Sequence, residues 1–77
     1  NAHIYPNPSE DMFNVELGWN SSEPVQVIIT DALGRIVYNE FHTEKNIQIG
    51  KDLVPGSYLL NIHTRSKLIT KKLVKTA

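Results

Sequence analysis

The sequence contains no cysteine, and this absence excludes several kinds of chemistry. Disulfide frameworks, thiolate nucleophiles, iron–sulfur clusters and cysteine-ligated zinc sites all need this residue. The chain also has no excess of either charge, because eight lysine and arginine residues balance eight aspartate and glutamate residues. Proteins that bind nucleic acid through phosphate neutralisation normally carry a basic excess, so we expect no nucleic-acid partner.

Long apolar runs and glycine-rich loops are also missing. No apolar run approaches the ~20 residues that a membrane-spanning helix needs, and we expect no signal peptide within residues 1–77. The glycines are isolated, so there is no phosphate-binding loop. The 77 residues suffice for one small domain with a modest core. Because the chain begins with Asn-Ala and not with Met, we expect residues 1–77 to be one domain of a longer protein.

The dominant pattern that is present is a period-two alternation of apolar and polar residues. Successive strand side chains point to opposite faces, so each alternating run predicts a strand with one buried face. The runs are rich in Val, Ile, Tyr and Phe, and no stretch has sustained helical spacing. The sequence therefore predicts an all-β fold. Strands are predicted at 3–5, 12–19, 24–30, 35–41, 46–49, 57–63 and 68–75.

Polar turns separate these runs at intervals typical of a β-sandwich or barrel. Asp31 is expected to cap a hairpin turn, and Gly34 to supply the positive φ that closes it. Pro55 and Gly56 suit the centre of a type II turn. The last strand, 68–75, alternates poorly, which predicts a bulge or an edge position.

The sequence offers no catalytic motif. No nucleophile elbow surrounds a serine, and the adjacent carboxylates Glu10 and Asp11 are better explained as a solvated loop than as a glycosidase pair. His42 and Glu44 would share one face of a strand, but nothing nominates the two further ligands that a metal would need. We therefore expect no enzymatic activity, no catalytic residue, no bound metal and no cofactor.

Aromatic side chains interspersed with lysines can form a binding surface for sugars or single-stranded nucleic acid. In this chain the aromatics of the alternating runs are in phase with the apolar faces, so core positions are favoured. They are Phe13, Trp19, Tyr38 and Tyr58. Residues 20–22 match the N-glycosylation sequon, which is informative only in a eukaryotic secreted protein. Composition and pattern alone thus predict a non-catalytic β-sandwich module.

A series of motifs covers nearly the whole chain. Residues 4–9 contain Tyr-Pro-Asn-Pro, residues 27–38 contain Asp-Ala-Leu-Gly-Arg, and residues 53–62 contain Pro-Gly-Ser-Tyr. Residues 69–75 close the series with Lys-Lys-Leu-Val-Lys. In this order and at these spacings, the series resembles the type A C-terminal sorting domain of the type IX (Por) secretion system.

The resemblance implies a single Ig-like antiparallel β-sandwich of about seven short strands. It also implies a delivery signal at the C-terminus of a secreted protein. Such a domain folds in the periplasm, is recognised by an outer-membrane translocon, and is commonly removed by a surface sortase. The expected partners are the translocon, the sortase and a covalently attached N-terminal passenger, with no small-molecule substrate. The cargo is then released or anchored at the cell surface.

The resemblance gives most motif residues an architectural role. Pro6 and Pro8 are expected to hold an extended entry segment around Asn7. Tyr5 is expected to lie against the sheet edge, and Tyr58 to enter the core with its hydroxyl bonded to nearby backbone. The full set of motif residues is Tyr5, Pro6, Asn7, Pro8, Gly34, Pro55, Gly56 and Tyr58.

The last strand carries the candidate residues for recognition by the translocon, which are Lys71, Lys72, Leu73, Val74 and Lys75. A core has little use for three cations on one strand, and an edge strand is suited to docking a partner. The resemblance implies that the secretion machinery recognises the final strand and the tail. The lysines could instead protect an exposed edge from pairing, and both interpretations stay open. Weak self-association through an edge strand is a further expectation.

A second function remains as an alternative. An accessory adhesion or carbohydrate-binding sandwich attached to a secreted enzyme would have a similar composition. Such a module needs an exposed aromatic platform, whereas the in-phase aromatics favour core positions. The position of the segment within its full-length gene would distinguish the two functions, because a sorting domain ends its protein.

Overall fold

The computed structural model describes residues 2–19 and 22–77, which fold entirely into strands and the turns that join them. No helix in this part of the chain could cross a membrane. All predicted strands are found, and their ends differ from the prediction by at most two residues. The strands are β1 (Ala2–Tyr5), β2 (Phe13–Leu17), β3 (Val25–Thr30), β4 (Ile36–His42), β5 (Asn46–Ile49), β6 (Gly56–His63) and β7 (Leu68–Lys75).

The strands form two sheets. One sheet has three strands in the order β1-β2-β5, and the other has four in the order β4-β3-β6-β7. Every ladder between neighbouring strands is antiparallel. The predicted all-β, Ig-like antiparallel sandwich of seven strands is confirmed.

The core lies between the sheets and is built from alternate strand residues. In β3, for example, Val25, Val27 and Ile29 are buried, while the residues between them are only half-buried. Complete burial of such side chains contributes about 1.5–3 kcal/mol each. Phe13 and Tyr58 are core residues as expected, and Trp19 and Tyr38 pack against the core in partly buried positions.

β7 alternates regularly, contrary to the sequence prediction of a broken phase. Its ladder with β6 runs without interruption from the pair of Gly56 and Lys75 to the pair of His63 and Leu68. The predicted bulge in β7 is therefore wrong, and the irregularity lies instead after Ile29 in the ladder of β3 with β4. The predicted edge position is correct, because β7 is the terminal strand of its sheet.

Candidate functional site

The candidate recognition residues of β7 divide between the two faces of the strand. Leu73 is completely buried and Lys75 is only 5% exposed. Lys71 and Val74 are half-buried, and Lys72 is exposed. Two of the five candidates are therefore not accessible to a partner while the domain is folded.

The burial of Lys75 corrects the expectation that a core has little use for the cations of this strand. Its ammonium group donates hydrogen bonds to three backbone carbonyls: Asp11, Gly50 at 2.6 Å and Lys51 at 3.1 Å. A lysine ammonium has three donors, so all of them are satisfied without a carboxylate. Buried charges are tolerated when they are hydrogen-bonded in this way. Lys75 thus ties the end of β7 to two loops.

Gly50, which the sequence reasoning missed, has a backbone that only glycine tolerates here. Its φ is 86°, and a Cβ atom at this position would lie 2.8 Å from the ring of Phe13. The turn that follows is closed by the N–H of Leu53, which donates to the carbonyl of Gly50 at 3.2 Å. The close approach places the Gly50 carbonyl where Lys75 binds it.

The segment of residues 6–9 lies along the outer edge of β7. The side chain of Asn7 donates to the carbonyl of Lys72 at 2.7 Å and accepts from the N–H of Val74 at 3.0 Å. Ser9 continues the pairing, because its N–H donates to the carbonyl of Val74 at 3.0 Å and its carbonyl accepts from Thr76 at 2.8 Å. The Tyr-Pro-Asn-Pro motif is therefore part of the same site as the last strand.

The motif residues around Asn7 depart from their predicted conformation. The peptide bonds before Pro6 and Pro8 are both cis, and the segment bends. The predicted extended entry segment is therefore wrong. Tyr5 is 51% exposed and is the last residue of β1, and its position against a sheet edge stays a prediction.

The hairpin between β3 and β4 agrees with the sequence prediction. Asp31 accepts hydrogen bonds from the N–H groups of Leu33 and Arg35, both at 2.9 Å, and pairs with the Arg35 side chain at 2.8 Å. The backbone N–H of Arg35 is the main cause that lowers the pKa of the Asp31 carboxyl. Gly34 has a φ of 83°, which is the positive value predicted for it.

The Tyr58 prediction is confirmed. Its side chain is 5% exposed, and its hydroxyl donates to the carbonyl of Val54 at 2.5 Å. The predicted type II turn at Pro55 and Gly56 is wrong, because Gly56 has a φ of 155° and begins β6. A type II turn needs a φ of about 80° at that position.

His42 and Glu44 form a pair but no metal site. His42 Nδ1 lies 3.6 Å from a Glu44 carboxylate oxygen, and His42 Nε2 lies 2.7 Å from the Tyr38 hydroxyl. Partial burial raises the pKa of Tyr38. Within residues 2–19 and 22–77, no three His, Asp or Glu side chains are grouped so that they could hold a metal ion.

The exposed aromatics do not form a common platform. Trp19 is half-buried, and the Lys67 ammonium lies 4.9 Å from its ring centroid. Phe41 is 67% exposed in β4, and Tyr5 is exposed in β1, which belongs to the other sheet. No observation on the described residues therefore favours the carbohydrate-binding alternative. Two of the three sequon residues, 20 and 21, lie outside the described residues.

The comparison with family models agrees with this arrangement. Residues 3–76 match the model of the secretion system C-terminal sorting domain. The chain belongs to this family. The match covers β1 except for Ala2, residues 6–9 and all of β7, so the residues of this site lie within it. A comparison with curated proteins found no match.

Membership of the family gives the sorting domain a role in type IX secretion. Such a role implies interaction with the secretion machinery and with a passenger protein. It also implies export to the cell surface or the extracellular space. Domains of this kind are generally non-catalytic.

Proposed function

We propose that the sorting domain is a non-catalytic signal that directs an attached N-terminal passenger across the outer membrane. The type IX translocon recognises it after it folds in the periplasm, and a surface sortase then removes it. Residues 1–77 are then the C-terminal domain of a longer secreted protein. The observation that carries this proposal is the family match, which spans residues 3–76.

The positions at which the chain enters and leaves the sandwich support this role. Ala2 lies opposite Leu17, at the end of β2 that is far from Phe13. Lys75 contacts the loop before Phe13, so the last residues lie at the other end of the sandwich. A passenger joined before β1 would therefore attach at the end of the sandwich opposite Lys75, and it would not cover the last residues of the domain.

The burial pattern of β7 supports different parts in recognition for its candidate residues. We assign contact with the translocon to Lys71, Lys72 and Val74, whose side chains reach the surface. Leu73 and Lys75 act from inside the domain by holding the strand in place. Deletion of residues 73–77 would remove core contacts, so it would not separate recognition from folding.

An export assay tests the proposal. Residues 1–77 are fused to a fluorescent reporter that is targeted to the periplasm of a bacterium with a type IX system. The same fusion is compared in a strain that lacks the translocon. We expect reporter on the surface or in the medium only in the first strain. Retention in the periplasm of both strains, with the domain intact and folded, would contradict the proposal.

Two matched variants test whether the secretion machinery recognises the folded domain. Leu73→Asp places a charge in the core, because Leu73 is fully buried, and Leu33→Asp places the same charge at a site that is 80% exposed. We expect Leu73→Asp to abolish export and Leu33→Asp to retain it. Equal export of the two fusions would show that recognition does not need the folded sandwich.

A further inference from the structure

The outer edge of β7 is covered along only half of its length. Residues 7–9 bond the outward backbone groups of alternate residues from 72 to 76. Successive strand residues direct their backbone groups to opposite edges, so Leu68 and Thr70 also direct theirs outward. No strand of the described chain lies beside these two residues. The N-terminal half of β7 is therefore a free edge that can accept a strand.

A groove runs beside this free edge, between β7 and β1. It has a volume of about 390 Å³ and is lined by Ala2, His3, Ile4, Asn7, Lys71 and Lys72. No carboxylate lines it, and Glu16, which lies opposite His3 in the register of β1 and β2, is not among the lining residues. The groove is therefore basic and lies beside unpaired backbone groups.

The two lysines of the groove lie on opposite faces of the strand. Lys71 is half-buried on the side of β7 that faces the core, and Lys72 is exposed on the outer side. Neither takes part in an ion pair among residues 2–19 and 22–77. A strand added beside them would present one residue to each face and could therefore neutralise both charges with successive side chains.

We propose that the free edge of β7 binds an extended segment of a partner protein that carries carboxylates at two successive positions. The segment adds as a strand beside residues 68–72, with one carboxylate near Lys71 and the next near Lys72. The inference rests on the proposed function, because it states the chemistry of the segment of the secretion machinery that binds this strand. Main-chain hydrogen bonds provide affinity, and the charge pattern provides specificity.

A second copy of the sorting domain does not fit this edge. Pairing β7 with another β7 would bring like charges together. The other strands at sheet edges are β1, β4 and β5, and among them only β4 carries a carboxylate, Glu40. No strand among the described residues therefore offers two successive carboxylates. The charge complementarity points to a different protein.

Peptide binding to the 77-residue chain tests the charge pattern. The probes are the capped peptides Thr-Val-Glu-Asp-Val-Thr and Thr-Val-Gln-Asn-Val-Thr, titrated by NMR into labelled protein. We expect the acidic peptide to bind about fivefold or more tightly, as two partly exposed charge pairs allow. The amide of Thr70 should become protected from hydrogen exchange. Equal affinity for the two peptides would overturn the inference.

Charge-reversal variants locate the contact. The double variant Lys71→Glu, Lys72→Glu should bind a peptide with Lys-Lys at the two central positions more tightly than it binds the acidic peptide. Lys45→Glu with Lys51→Glu makes the same change in net charge at exposed side chains that do not line the groove. Lys51 contacts Lys75 through its backbone carbonyl, which this change keeps, so the preference should be unchanged. An equal effect of the two double variants would show that only overall charge matters, against the inference.

A proline separates strand addition from a purely ionic contact. Thr70→Pro removes an N–H that points away from β6, so the ladder with β6 is retained while strand addition is blocked. Thr70→Val is the matched control, because it also loses the 2.8 Å hydrogen bond to Asn61 but keeps the N–H. We expect only Thr70→Pro to abolish binding of the acidic peptide. Unchanged binding would exclude strand addition.

The export assay separates this inference from the proposed function. If the unchanged domain is not exported, the proposed function fails. If it is exported, and the Lys71 and Lys72 double variant and Thr70→Pro are exported equally well, the inference fails while the proposed function stands. We expect both variants to lower export about fivefold or more at equal amounts of folded domain.

Discussion

Lys75 shows how much a single residue of this domain depends on its surroundings. A lysine is rarely buried, because removing its charge from water is costly. Here the loops before β2 and after β5 both direct carbonyls at the ammonium group. Hydrogen bonds to a charged donor are stronger than those between neutral groups. Lys75 therefore links the end of the last strand to two loops of the three-stranded sheet through hydrogen bonds.

Replacement of Lys75 tests this role. Lys75→Met keeps the apolar stem but leaves three carbonyls without their donor. We expect a loss of about 2 kcal/mol in the free energy of unfolding, measured by urea denaturation. Lys72→Met at an exposed position of the same strand should change it by no more than about 0.5 kcal/mol. Equal losses would contradict the role of the buried ammonium group.

The lowered pKa of Asp31 predicts that the stability of the domain depends on pH. Its pKa is lower in the folded domain than the ordinary value of 3.8, mainly through the N–H of Arg35. The carboxylate therefore stabilises the fold above that pH, and this contribution is lost as the pH falls through the folded pKa. Asp31→Asn should be less stable than the unchanged domain at pH 7, and the difference should shrink below about pH 4.

Thermal unfolding at several pH values measures this difference. Asp52→Asn is the control, because it removes the same charge at an exposed turn position. A stability difference for Asp31→Asn that stays constant from pH 7 to about pH 2 would exclude the carboxylate as its cause.

At the scale of elements, the segment of residues 6–9 acts as a partial cover for β7. An uncovered edge strand presents unpaired N–H and C=O groups that attract other chains. The segment satisfies these groups over the C-terminal half of the strand, partly through the side chain of Asn7. The prolines on either side of Asn7 have no N–H of their own to pair. The cover thus ends at the point where the basic groove begins.

Removal of the Asn7 amide tests the cover. Asn7→Ala loses two hydrogen bonds, so we expect about 1–2 kcal/mol lower stability and faster hydrogen exchange of the Val74 amide. Asn46→Ala, at an exposed position in β5, is the control and should change neither quantity appreciably. Unchanged exchange at Val74 in Asn7→Ala would show that the amide does not protect this edge.

At the scale of the whole molecule, the two sides of the sandwich differ. The side of β1 and β7 is partly closed by the cover, whereas in the described part of the chain β4 pairs only with β3 and has an open outer edge. β4 also exposes Ile36 and Phe41, at 60% and 67%. The formal net charge is zero, so little repulsion keeps domains apart near pH 7. Weak self-association of the isolated domain is therefore expected through β4.

Sedimentation at increasing concentration tests this association. Phe41→Lys should weaken it by about tenfold, because burial of a Phe side chain contributes ~1.5 kcal/mol or more. Leu33→Lys adds the same charge at a turn that is 80% exposed and should weaken it less. A monomer at all concentrations, or an equal effect of the two variants, would contradict an interface at β4.

The local features of the fold were predictable from the sequence. Period-two alternation located most of the strands, since the side chains of a strand alternate between faces wherever it lies in the fold. The Asp31 turn and the buried Tyr58 were also predicted, because each depends on residues within four positions. The motif series then led to the family, because its order and spacing are themselves properties of the sequence.

Tertiary structure decided which strands pair and which lysines are buried. Asn7 reaches Lys72 across 65 positions and Lys75 reaches Asp11 across 64. The alternation of β7 places Lys71 and Lys75 on the same face as Leu73. The packing of the opposite sheet and its loops then buries Lys75 and leaves Lys71 in a groove. Residue type alone predicted an exposed position for both lysines, because a buried ammonium group is stable only where distant carbonyls converge on it.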